Sequence, residues 1–278
     1  MSPLSRPSVP ALVRFGIQVL FFVFLPTLFS AAFNGVKYIV GRIAGAEPID
    51  SNPFLTYLII LVLFTFVFGR FFCGFACAFG SLGDWLYALS SFLQEKAGKR
   101  IRLPDKVIRV LSGGKFVVLA VVVLTSYLGV YGKVAVIDPW EIFGAFRYGN
   151  FLLAGRILMA ISFAMILVGM LLVERFFCMF LCPLGAVFAL LPMLPFTTFG
   201  RKREACIPGC ALCTRLCPAA IPLGEDARTS SACFQCGRCA VRCPRKNIRP
   251  GIRKLTGTEI PWTATKAALL FTVFYFLV

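Results

Sequence analysis

The chain has 278 residues, 59% of them hydrophobic, with a mean hydropathy of +0.84 and 30 phenylalanines, well above the roughly half-apolar make-up of soluble domains; this is a membrane protein's composition. Its net charge of +17 is gathered in particular loops, as the positive-inside bias requires, and not along a groove-binding helix, so nucleic acid is not the partner it implies. Histidine is absent altogether, which excludes bis-histidine haem, and no C-x-x-C-H is present for covalent haem.

Residues 1 to 10 read as a short polar tail. The first apolar run, Phe15 to Phe33, spans 19 residues, about 28 Å as a helix and close to the thickness of a bilayer core. It contains Pro26 as a kink site and lacks a small-residue cleavage signal. A second run, Phe54 to Phe72, ends in Gly69-Arg70-Phe71-Phe72-Cys73. Arg70 is expected to snorkel to the interface and leave Cys73 at the membrane–water boundary. Cys73 and Cys77 form a C-x3-C pair, which shares one face if helical. Residues 81 to 93, with Trp85 and Tyr87, look amphipathic and suited to the headgroup level. Lys96, Lys99, Arg100, Arg102, Lys106, Arg109 and Lys115 then make a cytoplasmic basic loop.

The third apolar run is Phe116 to Tyr131, extending toward Ile137, and the fourth is Phe151 to Val173. Between them, Asp138, Trp140 and Glu141 mark an external loop, as an interfacial anchor or as carboxylates that accept protons at a quinol or partner site. The fourth run ends in Arg175-Phe176-Phe177-Cys178-x-Phe180-x-Cys182, which restates Arg70-Phe71-Phe72-Cys73-x-Phe75-x-Cys77 at a constant offset of 105 residues. Each half reads as a two-helix hairpin followed by the motif, so both motifs return to one side of the membrane, related by an axis along its normal. Residues 11–100 and 101–200 are the two repeats.

Eight more cysteines follow in residues 201–254. Cys206, Cys210, Cys213 and Cys217 form C-x3-C-x2-C-x3-C-P, and Cys233, Cys236, Cys239 and Cys243 form C-x2-C-x2-C-x3-C-P. In this two-cluster ferredoxin pattern three cysteines of a block cap one cubane and the fourth crosses to the other. Cys206, Cys210, Cys213 and Cys243 are thus expected on one 4Fe-4S cluster, and Cys233, Cys236, Cys239 and Cys217 on the second. Zinc ribbons use two separated pairs and give the repeated C-P no role; disulfides need an oxidising compartment. The first block carries an extra spacer residue, Ile207-Pro208-Gly209, which a Pro-Gly turn can absorb. With 12 Lys and Arg between Arg201 and Lys254, this module is placed in the cytoplasm. The last apolar stretch in 255–278, Ala267 to Val278, has 12 residues, too few to cross a bilayer; it reads as an interfacial segment or the start of a fifth helix.

With the repeat, both C-x3-C motifs and the eight-cysteine block in view, residues 11 to 254 resemble the NapH, NosR and CcoG group of membrane polyferredoxins. The resemblance implies a bacterial inner-membrane protein with a cytoplasmic N-terminus, a four-helix transmembrane domain and a two-cluster ferredoxin domain. It also implies electron transfer between quinol and a partner oxidoreductase, or metal handling that reduces copper for a respiratory enzyme. Ala78 stands where the family commonly has proline after the second cysteine, and neither a flavinylation sequence nor a large external domain is found. Three readings apply to Cys73, Cys77, Cys178 and Cys182: buried packing, two redox dithiols, or four thiolates on one further centre such as a third 4Fe-4S cluster. Duplication of the pair favours the last.

Overall fold

The computed structural model describes residues 9–98, 104–134, 157–192, 194, 199–201, 204–219, 221, 231–250 and 260–277. The chain forms two compact units, one from Met1–Leu25, Phe64–Cys77 and Leu191–Val278, the other from Pro26–Leu63 and Ala78–Leu190. Asp138, Trp140 and Glu141 lie outside the described residues.

The second unit contains α2 (Leu28–Ala44), α4 (Ala78–Lys96), α5 (Asp105–Leu111), α6 (Gly114–Tyr127) and α7 (Tyr131–Val134), then α8 (Ile157–Leu172), α9 (Phe176–Phe180) and α10 (Pro183–Leu190); α1 is Val9–Phe24 and α3 is Pro53–Phe68. Its centre is aromatic. Phe29, Phe79 and Phe177 enclose one another with ring centroids 4.9 to 6.0 Å apart, the offset and edge-on geometries that the ring quadrupole favours. The start of α4 is buried, Ala78, Phe79, Gly80, Ser81, Gly83 and Asp84 alike, with Gly83 against the sulfur of Met170 on α8, while Leu89, Phe92 and Leu93 further along are exposed.

Inside this apolar packing sits an ion pair. Arg175 Nε donates to Asp84 Oδ1 at 2.9 Å and Nη2 to Oδ2 at 2.7 Å, with the two residues 1% and 7% exposed. The planar guanidinium matches the carboxylate at both oxygens, so the charges are removed from water together. Arg175 adopts a left-handed backbone, φ +57, between α8 and α9.

In the first unit, the aromatic edge of α1 packs on α13 (Ile260–Leu277), Phe21 and Phe24 both meeting the ring of Phe271. This last helix has 18 residues, about 27 Å, and so exceeds the 12-residue apolar stretch: Trp262 and Lys266 belong to it, covered by Phe68 and Phe71. Between these helices in sequence lies the small cysteine-rich module. Strands β1 (Phe199–Arg201) and β2 (Ile248–Pro250) pair antiparallel, Phe199 opposite Pro250 and Arg201 opposite Ile248. They bracket two one-turn helices, α11 (Leu212–Arg215) and α12 (Arg238–Val241). Phe199, Cys213, Ala240 and Ile248 form its core, with Cys233, Cys239 and Cys243 packed against it.

The first apolar run is bent at Pro26 as expected, by 63° between Val9–Phe24 and Leu28–Ala44, because proline cannot continue the hydrogen-bond ladder. Other expectations change. The second run ends as a helix at Phe68, where Gly69 turns to φ +68. Lys106, Arg109 and Lys115 are helical rather than loop residues. Among the described residues one stretch, Lys106–Tyr127, running through α5 and α6 with an 18-residue window of mean hydropathy 2.2, is long and apolar enough to cross a membrane; a second is counted only if Val9–Phe24 and Leu28–Ala44 are taken as one broken span, and Pro53–Phe68 and Met159–Leu172 are apolar but shorter.

Replacing Asp84 by alanine strands the Arg175 guanidinium, and truncating one partner of a buried pair costs about 3–5 kcal/mol. The expected result is a large drop in the unfolding midpoint of detergent-solubilised Asp84→Ala, much of it recovered in Asp84→Ala/Arg175→Leu. An Asp84→Ala midpoint equal to the parent's would remove the pair from the energetics of this unit.

Candidate iron–sulfur site

Both C-x3-C motifs fold by one local rule. The Cys77 N–H donates to the Phe72 carbonyl at 2.9 Å, and the Cys182 N–H to that of Phe177 at 2.9 Å, so the same wide i to i−5 closure recurs at the 105-residue offset. Neither pair therefore lies on a regular α-helix: Phe72–Ala76 is a π-helical turn, of the kind frequently found at functional sites. All four thiols are buried, between 5% and 8% exposed. The Cys182 sulfur accepts the Gly185 N–H at 3.1 Å at the start of α10. Cys73 and Cys77 belong to the first unit, Cys178 and Cys182 to the second.

The eight module cysteines all lie in the first unit. In the second block burial, and then the charges of Cys236, Cys233 and Cys217, push the Cys239 thiol above its ordinary range. Gln235 at φ +56 and Gly237 at φ +68 bend the chain between these cysteines. Around the first block, Asn247 reaches two sulfurs at once, its backbone N–H donating to Cys243 Sγ and its side-chain Nδ2 to Cys206 Sγ, both at 3.4 Å. Arg201 Nη1 donates to Cys213 Sγ at 3.2 Å. The extra spacer residue is absorbed in a turn, with Gly209 at φ +71 and the Cys210 N–H donating to the Ile207 carbonyl at 3.0 Å.

The donor set is all sulfur. Among the described residues no three thiol, carboxylate or imidazole groups are gathered as around a single metal ion, whereas a cubane spreads its thiolate ligands over separate iron corners. Soft thiolates without carboxylate or imidazole suit iron–sulfur chemistry, and donors such as Asn247 and Arg201 aimed at sulfur tune its potential.

The first C-x3-C turn touches the second block directly. A side chain at Gly74 would collide with the Phe234 carbonyl, with the Cys236 nitrogen 3.8 Å away; Met179 holds the equivalent position in the other repeat. Arg70, expected at the membrane interface, is instead 1% exposed, its guanidinium 5.1 Å from the centroid of the Phe234 ring. Sequence reasoning missed Gly74, Asp84, Arg201 and Asn247 as parts of these sites. Asp84 alone carried a signal, an acid among the small residues Gly80 and Gly83.

Fold and thiols together define an iron–sulfur protein of ferredoxin type built on a repeated helix-end motif. The family profile described as a 4Fe-4S binding domain matches twice, at residues 53–100 and 156–202, one match per C-x3-C motif and both outside Cys206–Cys243. An uncharacterized protein of Methanocaldococcus jannaschii is 29% identical over 222 residues, 78% of this chain and 85% of that protein. The ferredoxin-type protein NapH of Haemophilus influenzae is 26% identical over 253 residues, 80% and 83% respectively. The regulatory protein NosR of Pseudomonas aeruginosa is 26% identical over 255 residues, 86% of this chain but 34% of NosR. No solved structure matches the chain. The chain is thus similar to ferredoxin-type proteins of the NapH and NosR kind.

Gly74→Ala forces a methyl group into backbone that cannot swing away. The expected outcome is a stability loss of about 1–3 kcal/mol, the usual scale of overpacking, with reduced iron retention measured as iron per chain. Gly41→Ala, where a methyl group meets nothing within 4 Å, should leave both unchanged or slightly improve stability; equal iron content in the two variants would show that the Gly74–Phe234 contact does not matter.

Proposed function

We propose that this chain conducts electrons on iron–sulfur centres between quinol in the membrane and a partner oxidoreductase, making and breaking no substrate bonds itself. The observation that carries the reading is the seating of the Cys73–Cys77 turn on the Cys233–Cys239 block through Gly74 and Phe234, which joins a helix-end thiol motif to the module within one unit. When bound, 4Fe-4S centres supply one-electron exchange at potentials between roughly −700 and +450 mV. Cys206, Cys210, Cys213 and Cys243 would hold one and Cys233, Cys236, Cys239 and Cys217 the other; Asn247 and Arg201 would orient and stabilise sulfur.

Two family matches, each on one C-x3-C motif, support a further centre on Cys73, Cys77, Cys178 and Cys182. In this reading the apolar segments form four spans in the inner membrane, in contact with lipid, with the basic module and N-terminus cytoplasmic. Burial of all four thiols favours an electron relay over capture of copper from solution.

Metal analysis tests the reading. Anaerobically purified protein should contain about twelve irons and as many sulfides per chain, falling to about eight when Cys73, Cys77, Cys178 and Cys182 are changed to serine. An unchanged count of eight would sink the third centre, and failure of any quinol to reduce the reconstituted protein would sink the quinol link.

A further inference from the structure

Three cations are buried around the first C-x3-C turn, all within one unit. Arg14 lies over the ring of Phe75 at 5.7 Å, Lys266 over Phe71 at 4.7 Å and Arg70 over Phe234 at 5.1 Å. The segments that carry them, residues 1–25, 64–77 and 260–278, contain no aspartate or glutamate.

Arg70 stands apart from the other two. Its Nε, Nη1 and Nη2 are all buried without a hydrogen-bond partner among the described residues. A guanidinium stays charged in a protein, so burial without an anion leaves a desolvation penalty that an aromatic face offsets only in part. In the other repeat the equivalent Arg175 meets Asp84. The residue 105 positions after Asp84 is Ala189, so the duplication supplies no reciprocal carboxylate for Arg70. What Arg70 does meet is Phe234, inside Cys233-Phe-Gln-Cys236, a block whose thiolates become a concentrated negative charge once metallated.

We infer that Arg70 is the built-in counter-charge of the anionic iron–sulfur centre on Cys217, Cys233, Cys236 and Cys239, and that it raises the reduction potential of that centre. The inference rests on the cluster assignment proposed above. Reduction adds one electron and hence one further negative charge, so a fixed cation beside the block stabilises the reduced form more than the oxidised one. Because the charge is held in a water-excluded position, its effect is only weakly screened by salt.

The test uses the full chain, purified anaerobically in detergent, as parent, Arg70→Gln and Arg70→Lys. Iron and sulfide are counted first, and each paramagnetic signal is then titrated against potential with a chemical reductant. Iron-replete Arg70→Gln should show one centre harder to reduce, its reduced-to-oxidised ratio at fixed potential lower by about tenfold, or about 59 mV for one electron; Arg70→Lys should stay near the parent. Unchanged potentials in iron-replete Arg70→Gln overturn the inference. Should Arg70→Gln lose iron, an Arg70→Lys protein with full iron and the parent's potential supports the role of charge, whereas loss in both variants overturns it in favour of shape. A shifted signal that survives Cys233→Ser but disappears in Cys73→Ser/Cys77→Ser overturns the assignment to the Cys233 block. A parent protein without iron or sulfide removes the cluster reading itself, and the metal count reveals that before any titration.

Discussion

Burying a guanidinium is the constraint on which both halves of this protein depend. Arginine cannot shed its proton to escape a low-dielectric site, so each repeat, ending a helix in Arg-Phe-Phe-Cys, must find its arginine a counter-charge or a substitute. Arg175 finds Asp84, and the bidentate pair fixes how α9 meets α4 in its unit. Arg70 finds an aromatic ring on the cysteine-rich module. One inherited motif has thus been put to two uses: a structural clamp in one half and a seat for the ferredoxin block in the other.

The same divergence runs through the residues between the cysteines. Gly74 and Met179 occupy equivalent positions in the two motifs, and both motifs close with the same i to i−5 hydrogen bond. At Gly74 the side chain is reduced to hydrogen and backbone meets the backbone of the ferredoxin loop, whereas Met179 is a buried side chain, 3% exposed. The wide turn also takes the second cysteine of each motif out of the helix that carries the first. A thiol freed from helical hydrogen bonding can receive donors of its own, as Cys182 does from Gly185.

Around the module cysteines, polarity is delivered sparingly. Asn247 serves two sulfurs from different blocks and Arg201 serves a third, while Cys233, Cys239 and Cys243 pack against the core of Phe199, Ala240 and Ile248. Hydrogen bonds to sulfur are one of the levers a protein has over an iron–sulfur potential, and here the donors stand at or beside the two strands.

The sequence by itself determined the chemistry: twelve cysteines in two repeated pairs and two ferredoxin blocks, no histidine, and a duplication visible at one offset. These are legible because ligand spacing and residue softness are local properties of the chain. The helices were legible in part, Pro26 marking the bend in the first run, since apolar runs announce burial but not where a helix stops; Gly69 and the helical placement of Lys106, Arg109 and Lys115 had to be resolved by backbone geometry. Only the tertiary structure decided which arginine is paired. Arg70 and Arg175 are indistinguishable by motif, yet 91 residues separate Asp84 from its partner and 164 separate Arg70 from Phe234. Charge compensation in a buried site depends on what folding brings alongside, and no local pattern in the chain records it.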